Sequence, residues 1–131
     1  KAVGSLPGNV TVELRGRVSN SEVLKFYAGN HVDIFINVSS SEGIPVSIME
    51  AISFGIPVIA TDVGGSGEII DQTCGVLLSP DLKTADLTRA IENVLSDQLM
   101  QNRRCAARKK WASGYSAEKN YEVFCQFLVQ T

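Results

Sequence analysis

The chain reads as an α/β fold, a parallel sheet of about four strands flanked by helices, and three observations carry that expectation. Val32–Val38 is a strand-like run, apolar apart from Asp33 and Asn37, as expected of a strand buried on both faces. After it, Ile44–Phe54 places Ile44, Ile48, Ala51 and Ile52 at i, i+4, i+7 and i+8, the stripe of a core-facing helix. A β-branched run, Ile56–Ala60, then opens at Pro57 and closes on a glycine-rich turn. Strand, loop, helix and strand in that order make a parallel crossover.

In chain order, Lys1–Asn9 carries Gly4, Pro7 and Gly8 and is expected as a loop. Val10–Leu14 alternates apolar and polar and is expected as a first strand, closed by Arg15-Gly16-Arg17. Ser19 and Glu22 stand at capping-box spacing, so a helix follows through Val23, Leu24, Phe26 and Tyr27 to Gly29-Asn30. His31 sits at the next junction without a second ligand candidate, which suits a structural or surface role. Glu68-Ile69-Ile70 begins a short helix, and Cys74–Leu78 is a turn and a fourth strand. Leu87, Ile91, Val94 and Leu95 share a helical face from Thr84 onward. Asp97-Gln98 is the expected break, with another helix to about Ala112. A turn with Ser116 as N-cap leads to a last helix bearing Tyr121, Phe124, Phe127 and Leu128.

Bulk composition narrows the functional classes. The chain has 131 residues, 44% hydrophobic and 20% charged, the balance of one globular domain with a real core. A net charge of −2 argues against nucleic acid as the main partner. No apolar run approaches the roughly 20 residues of a membrane span, and Lys1–Ser5 lacks the apolar core of a secretory leader. Cys74, Cys105 and Cys125 are odd in number and widely spaced, which suits free thiols in a reducing compartment and no metal site.

The chemistry concentrates between Ser39 and Glu68. Glu42 lies in the loop at a strand's carboxyl end, and Glu50 lies eight positions on, within the expected helix. Eight steps of about 100° return close to the same face, so both acids can address one ligand. Glu42-Gly43-Ile44 precedes a helix N-terminus, where unbonded amides favour a phosphate. An acid beside a phosphate site makes sense if it accepts hydrogen bonds from hydroxyls. A ligand carrying both phosphate and many hydroxyls is a nucleotide sugar. Taken singly, Glu50 also fits a solvated helix position, and Pro57–Thr61 fits core strand in any α/β protein.

Taken together the residues resemble a known family. Glu42-x7-Glu50, then Glu50-Ala51, Gly55-Ile56-Pro57-Val58-Ile59-Ala60-Thr61 and Gly64-Gly65-x-x-Glu68 resemble the donor-binding core of retaining GT-B glycosyltransferases, glycosyltransferase family 4 (group 1). The resemblance runs from about Val10 to the last helix and implies a Rossmann-like domain, the C-terminal half of a GT-B fold, spanning residues 1–131. It implies Glu42 as the catalytic residue, holding donor-sugar hydroxyls and favouring charge at the anomeric carbon. It places Glu50 on the ribose hydroxyls, the amides of Gly43, Ile44 and Val46 on the diphosphate, and Arg17 and Val18 near the base. No metal or other cofactor is implied; the donor is a UDP- or GDP-linked sugar. Pro45 departs from the family, where glycine is common, and removes one donor.

The resemblance also implies an N-terminal GT-B domain outside this chain, a cytoplasmic enzyme and a role in polysaccharide or glycoconjugate biosynthesis. Other readings stay open: another GT-B activity such as a nucleotide-sugar 2-epimerase, or a binding module without catalysis. The Gly64-Gly65 turn fits a tight connection or direct sugar contact equally. Arg17 fits the base site or a solvated strand end. Arg103, Arg104, Arg108, Lys109 and Lys110 make a basic helix, a solvated face or a peripheral contact at the inner face of a membrane. The aromatic stripe of the last helix either covers its own sheet or supports self-association.

Overall fold

A computed structural model describes residues 7–129, with Asp97 and Gln98 described by backbone alone. Its elements are α1 (Asn20–Gly29), β1 (Phe35–Asn37), α2 (Val46–Ser53), β2 (Val58–Thr61), α3 (Ser66–Ile69), β3 (Gly75–Leu78), α4 (Thr84–Leu95), α5 (Asp97–Gly114) and α6 (Ala117–Val129). The strands form a parallel sheet in the order β1-β2-β3, with Phe35 opposite Val58 and Val58 opposite Gly75. All four residues of the central β2 are buried.

Burial follows the period-2 alternation of β2. Val58 and Ala60 pack with Ile48, Ala51 and Ile52 of α2 and Ala107 of α5. Ile59 points the other way, to Ala90 and Val94 of α4. Helices therefore cover both faces, which is the arrangement an all-parallel sheet requires. Each isoleucine so enclosed contributes about 1.5–3 kcal/mol.

Local signals explain the helix ends. Ser19 N–H donates to Glu22 Oε2 at 3.1 Å, as the Ser-x-x-Glu spacing predicts. Helix α2 closes on a glycine in the left-handed region, Gly55, at φ +68°. Ile56 N–H bonds Ala51 O at 3.1 Å and Gly55 N–H bonds Ile52 O at 3.0 Å, the paired bonds of a Schellman stop. Lys119 N–H donates to Ser116 Oγ at 3.2 Å, so Ser116 caps α6 as expected.

The structure departs from expectation in four places. Val10–Leu14 is not a strand: the sheet has three strands among the described residues, and Val10, Val12 and Leu14 are 45%, 43% and 81% exposed. Alternation marks an extended segment but cannot supply the neighbouring strand that would pair with it. Helix α2 begins at Val46 with Pro45 as its N-cap, so Ile44 lies outside the core stripe and is 58% exposed. The break between α4 and α5 falls at Ser96, not at Asp97-Gln98, because Ser96 takes an extended conformation (φ −61°, ψ 122°) and caps α5. Strand β1 covers only Phe35–Asn37 of the expected Val32–Val38, since its ladder can be no longer than the short β2 beside it. The expected loop over Lys1–Asn9 lies mostly outside the described residues.

Candidate functional site

Three segments meet the carboxyl side of the sheet, where open α/β folds bind ligands. They are the β1–α2 loop, the glycine turn after β2 and the loop before α1.

The β1–α2 loop is held at several points. Thr61, buried at the end of β2, donates its hydroxyl to Ser39 O at 2.5 Å. Ser39 Oγ–H donates to Asn37 Oδ1 at 2.9 Å, and Asn37 Nδ2–H donates to Glu42 Oε1 at 3.1 Å. The Ser39 hydroxyl, and then the Asn37 amide, hold the Glu42 carboxyl below its ordinary value. Glu42 is therefore a half-buried, ionised acid.

The glycine turn props this loop from behind. Gly64 takes φ +53°, and a β-carbon there would stand 2.0 Å from Glu42 O and 2.8 Å from Gly43 O. Gly65 N–H donates to Gly43 O at 2.7 Å. Of the two roles the turn's sequence allows, close backbone packing is therefore present in the structure.

Beyond Gly43 the chain enters α2. Ile48 N–H is the first amide of that helix to bond back to Pro45 O, at 3.1 Å. The amides of Val46 and Ser47 precede it and, as helix geometry dictates, have no acceptor within the helix. Glu50 is one turn further on, and its Oε1 accepts from Asn20 Nδ2 at the start of α1. Burial, and then the nearby Glu50 charge, raise the Tyr27 phenol above its ordinary value. Arg17 is exposed in the bend just before α1 and Val18 is half-buried, so the loop expected near a base abuts the partner of Glu50. The eight-step helical count does not apply, because α2 starts four residues after Glu42.

The sequence profile described as glycosyl transferases group 1 matches residues 3–111. The chain belongs to that family. A phosphatidylinositol N-acetylglucosaminyltransferase component from Arabidopsis thaliana is 38% identical over 85 residues, 65% of this chain and 18% of that protein. The putative teichuronic acid biosynthesis glycosyltransferase TuaC of Bacillus subtilis is 30% identical over 100 residues, 74% of this chain and 25% of its own length. Among solved structures, sucrose-phosphate synthase of Thermosynechococcus elongatus superposes with TM-score 0.70 at 21% identity, over 88% of this chain and 30% of that one. The C-terminal domain of LpcC from Francisella tularensis gives 0.67 at 24%, over 79% and 53%. These likenesses place the fold as that of a GT-B glycosyltransferase domain. The chain spans only a fifth to a quarter of the curated relatives named.

Within this group 1 domain the basic helix α5 is not a solvated run of charge. Arg103, 8% exposed, donates to Gln72 O at 2.9 Å, Gly75 O at 3.2 Å and Asn93 Oδ1 at 2.7 Å. Arg104 donates to Val32 O at 2.7 Å. Arg108 bonds Ser53 O at the end of α2 and lies 4.5 Å from the Trp111 ring centroid. Lys110 pairs with Asp71 at 2.6 Å. Four of the five cations thus tie α5 to the fold, through contacts that a one-dimensional charge run cannot reveal.

The remaining candidate residues lie away from the acids. Arg15 pairs with Glu13 and lies over Phe26, a surface role. His31 pairs with Asp33 at 3.1 Å, both exposed. Among the described residues no His, Cys, Asp and Glu cluster could hold a metal, and no helix is long and apolar enough to cross a membrane. Cys74 is buried, and Cys105 and Cys125 are exposed thiols. A cavity of about 710 Å³ also lies apart from them, between β3 and α4, lined by Val76, Leu78, Asp86, Arg89 and Arg103 among others. Asn20, Asn37 and Thr61 belong to the site but do not stand out in the sequence. The one available signal is Asn37, a lone amide ending an apolar strand.

Proposed function

We propose that this domain binds a nucleotide-sugar donor for retaining transfer of the sugar to an acceptor hydroxyl. The observation that carries this reading is Glu42, an acid kept ionised at the mouth of β1 and followed at once by the open amide end of α2. The helix end suits a diphosphate, which is also the leaving group. Glu42 takes the donor-sugar hydroxyls and the charge developing at the anomeric carbon. Glu50 takes the ribose hydroxyls, exchanging its bond to Asn20 for them. Gly43, Ile44 and Val46 offer amides to the diphosphate, and Arg17 and Val18 flank the base.

In this reading the acceptor site and the cations that neutralise the diphosphate belong to an N-terminal GT-B domain, and the 131-residue chain alone binds donor weakly and transfers nothing. The relatives named above for teichuronic acid biosynthesis and for phosphatidylinositol N-acetylglucosaminyl transfer support a place in polysaccharide or glycoconjugate synthesis. A lipid acceptor of the kind named in one of them fits a cytoplasmic enzyme that meets the inner face of a membrane peripherally.

Calorimetric titration with UDP, GDP and their sugars tests the binding half. Saturable binding that Glu50→Ala weakens is the expected result. Absence of any nucleotide binding, together with unchanged transfer by the Glu42→Ala form of the full-length enzyme, would overturn the reading.

A further inference from the structure

Glu42 does not hold itself in place. Strand β1 ends in Asn37, and strand periodicity puts Asn37 on the same face as Phe35. Phe35 packs on the α2 side of the core. The Asn37 side chain thus lies on the face of the sheet that carries the Glu42 loop, and reaches it at 3.1 Å.

The amide's orientation is set as well. Asn37 Oδ1 faces the Ser39 hydroxyl at 2.9 Å and accepts from it, and the same hydroxyl is close enough to serve the Glu42 carboxyl as well. That leaves the NH₂ group facing Glu42, and a flipped amide would set two oxygens against each other. Ser39 is in turn anchored through its carbonyl to Thr61, in the most buried strand. A rigid element is thereby connected to the carboxylate through three hydrogen bonds. Both groups that lower the Glu42 carboxyl are neutral, Ser39 and Asn37.

We propose that Asn37 is a positioning residue for Glu42, its amide aiming Oε1 and leaving the second carboxylate oxygen for the donor sugar. The inference rests on the reading of Glu42 given above. Asn37 itself touches no substrate; it acts by fixing the acid that does. Such an amide strengthens the ionised form of its partner and limits the carboxylate's rotamers, which favours interactions formed only in the transition state.

The test uses Asn37→Asp, which keeps shape and the Ser39 bond but replaces the donor with a like charge, and Asn37→Leu, which removes the bond. In this chain, ¹³C NMR of the Glu42 carboxyl should titrate at higher pH in both variants than in the wild type. In the full-length enzyme, kcat should fall tenfold or more while KM for the donor changes less than threefold. The acid limb of the rate profile should also move to higher pH. An unaltered Glu42 titration in Asn37→Asp, with rates within twofold at every pH, overturns the proposal. Glu42→Gln separates the two claims. Loss of transfer there with unchanged Asn37 variants sinks only the positioning role. Full activity of Glu42→Gln sinks the reading beneath it.

Discussion

At Gly64 the backbone itself excludes a side chain. Its φ of +53° costs an L-residue about 1–2 kcal/mol, and the β-carbon would overlap Glu42 O as well. Gly64→Ala should therefore destabilise the domain by more than about 2 kcal/mol in urea unfolding. Gly43→Ala is the matched control: nothing lies within 4 Å of its β-carbon and its φ is ordinary, so a change within about 0.5 kcal/mol is expected. Equal effects in the two variants would refute the buttress role of the turn. Asp71 and Lys110 give a second prediction at this scale. Lys110 and the Thr73 hydroxyl hold the Asp71 carboxyl far below the usual carboxylate range. A depressed acid adds stability that is present above its unfolded value and lost as pH falls through its folded one. Lys110→Met should thus cost roughly 0.5–1 kcal/mol at pH 7, given the partial exposure of the pair. That difference should shrink steadily below about pH 4.

Among the elements, α5 and α2 differ in how far their contacts can be read from their residues. Helix α5 has charge in abundance, yet its arginines serve carbonyls that other elements leave open. Arg103 reaches the Gln72 and Gly75 carbonyls at the start of β3, and Asn93 on α4. Arg103→Met should cost about 2–3 kcal/mol, because it strands charged-group hydrogen bonds in a buried place. Lys109→Met, on the exposed face of the same helix, should change stability by less than about 0.5 kcal/mol. Chemical denaturation of both variants decides between a structural arginine and a solvated charge run. Helix α2 is readable from sequence almost to the residue, since Gly55 and the Ile48, Ala51, Ile52 stripe are local signals. Its start is not, because proline is expected in the first turn, whereas the extended conformation of Pro45 (φ −75°, ψ 102°) makes it the N-cap.

For the whole molecule, α6 presents Tyr121 and Phe124 on an exposed part of its surface. It contains no buried residue, and Tyr121 and Phe124 are 71% and 59% exposed. Sedimentation equilibrium should show a concentration-dependent dimer, and Tyr121→Glu with Phe124→Glu should return it to monomer with little change in melting temperature. A monomer at all concentrations would refute self-association through this face. Much of the α/β architecture is legible because period-2 and period-3.6 patterns are local and both crossover strands are short and strongly apolar. Val10–Leu14 misleads for the opposite reason: pairing depends on a neighbour, not on the strand's own alternation. Likewise Glu42, Gly64 and Glu50 stand out as chemistry, while their holders Asn37, Thr61 and Asn20 do not.

By itself the sequence determined the crossover, the two acids and the glycine stop of the helix that carries the second, because each is written in neighbouring residues. Tertiary structure alone decided what fixes those acids and where the arginines of α5 go. Such contacts join residues far apart in the chain, Thr61 with Ser39 and Arg104 with Val32, and no spacing rule connects them until the sheet has brought them together.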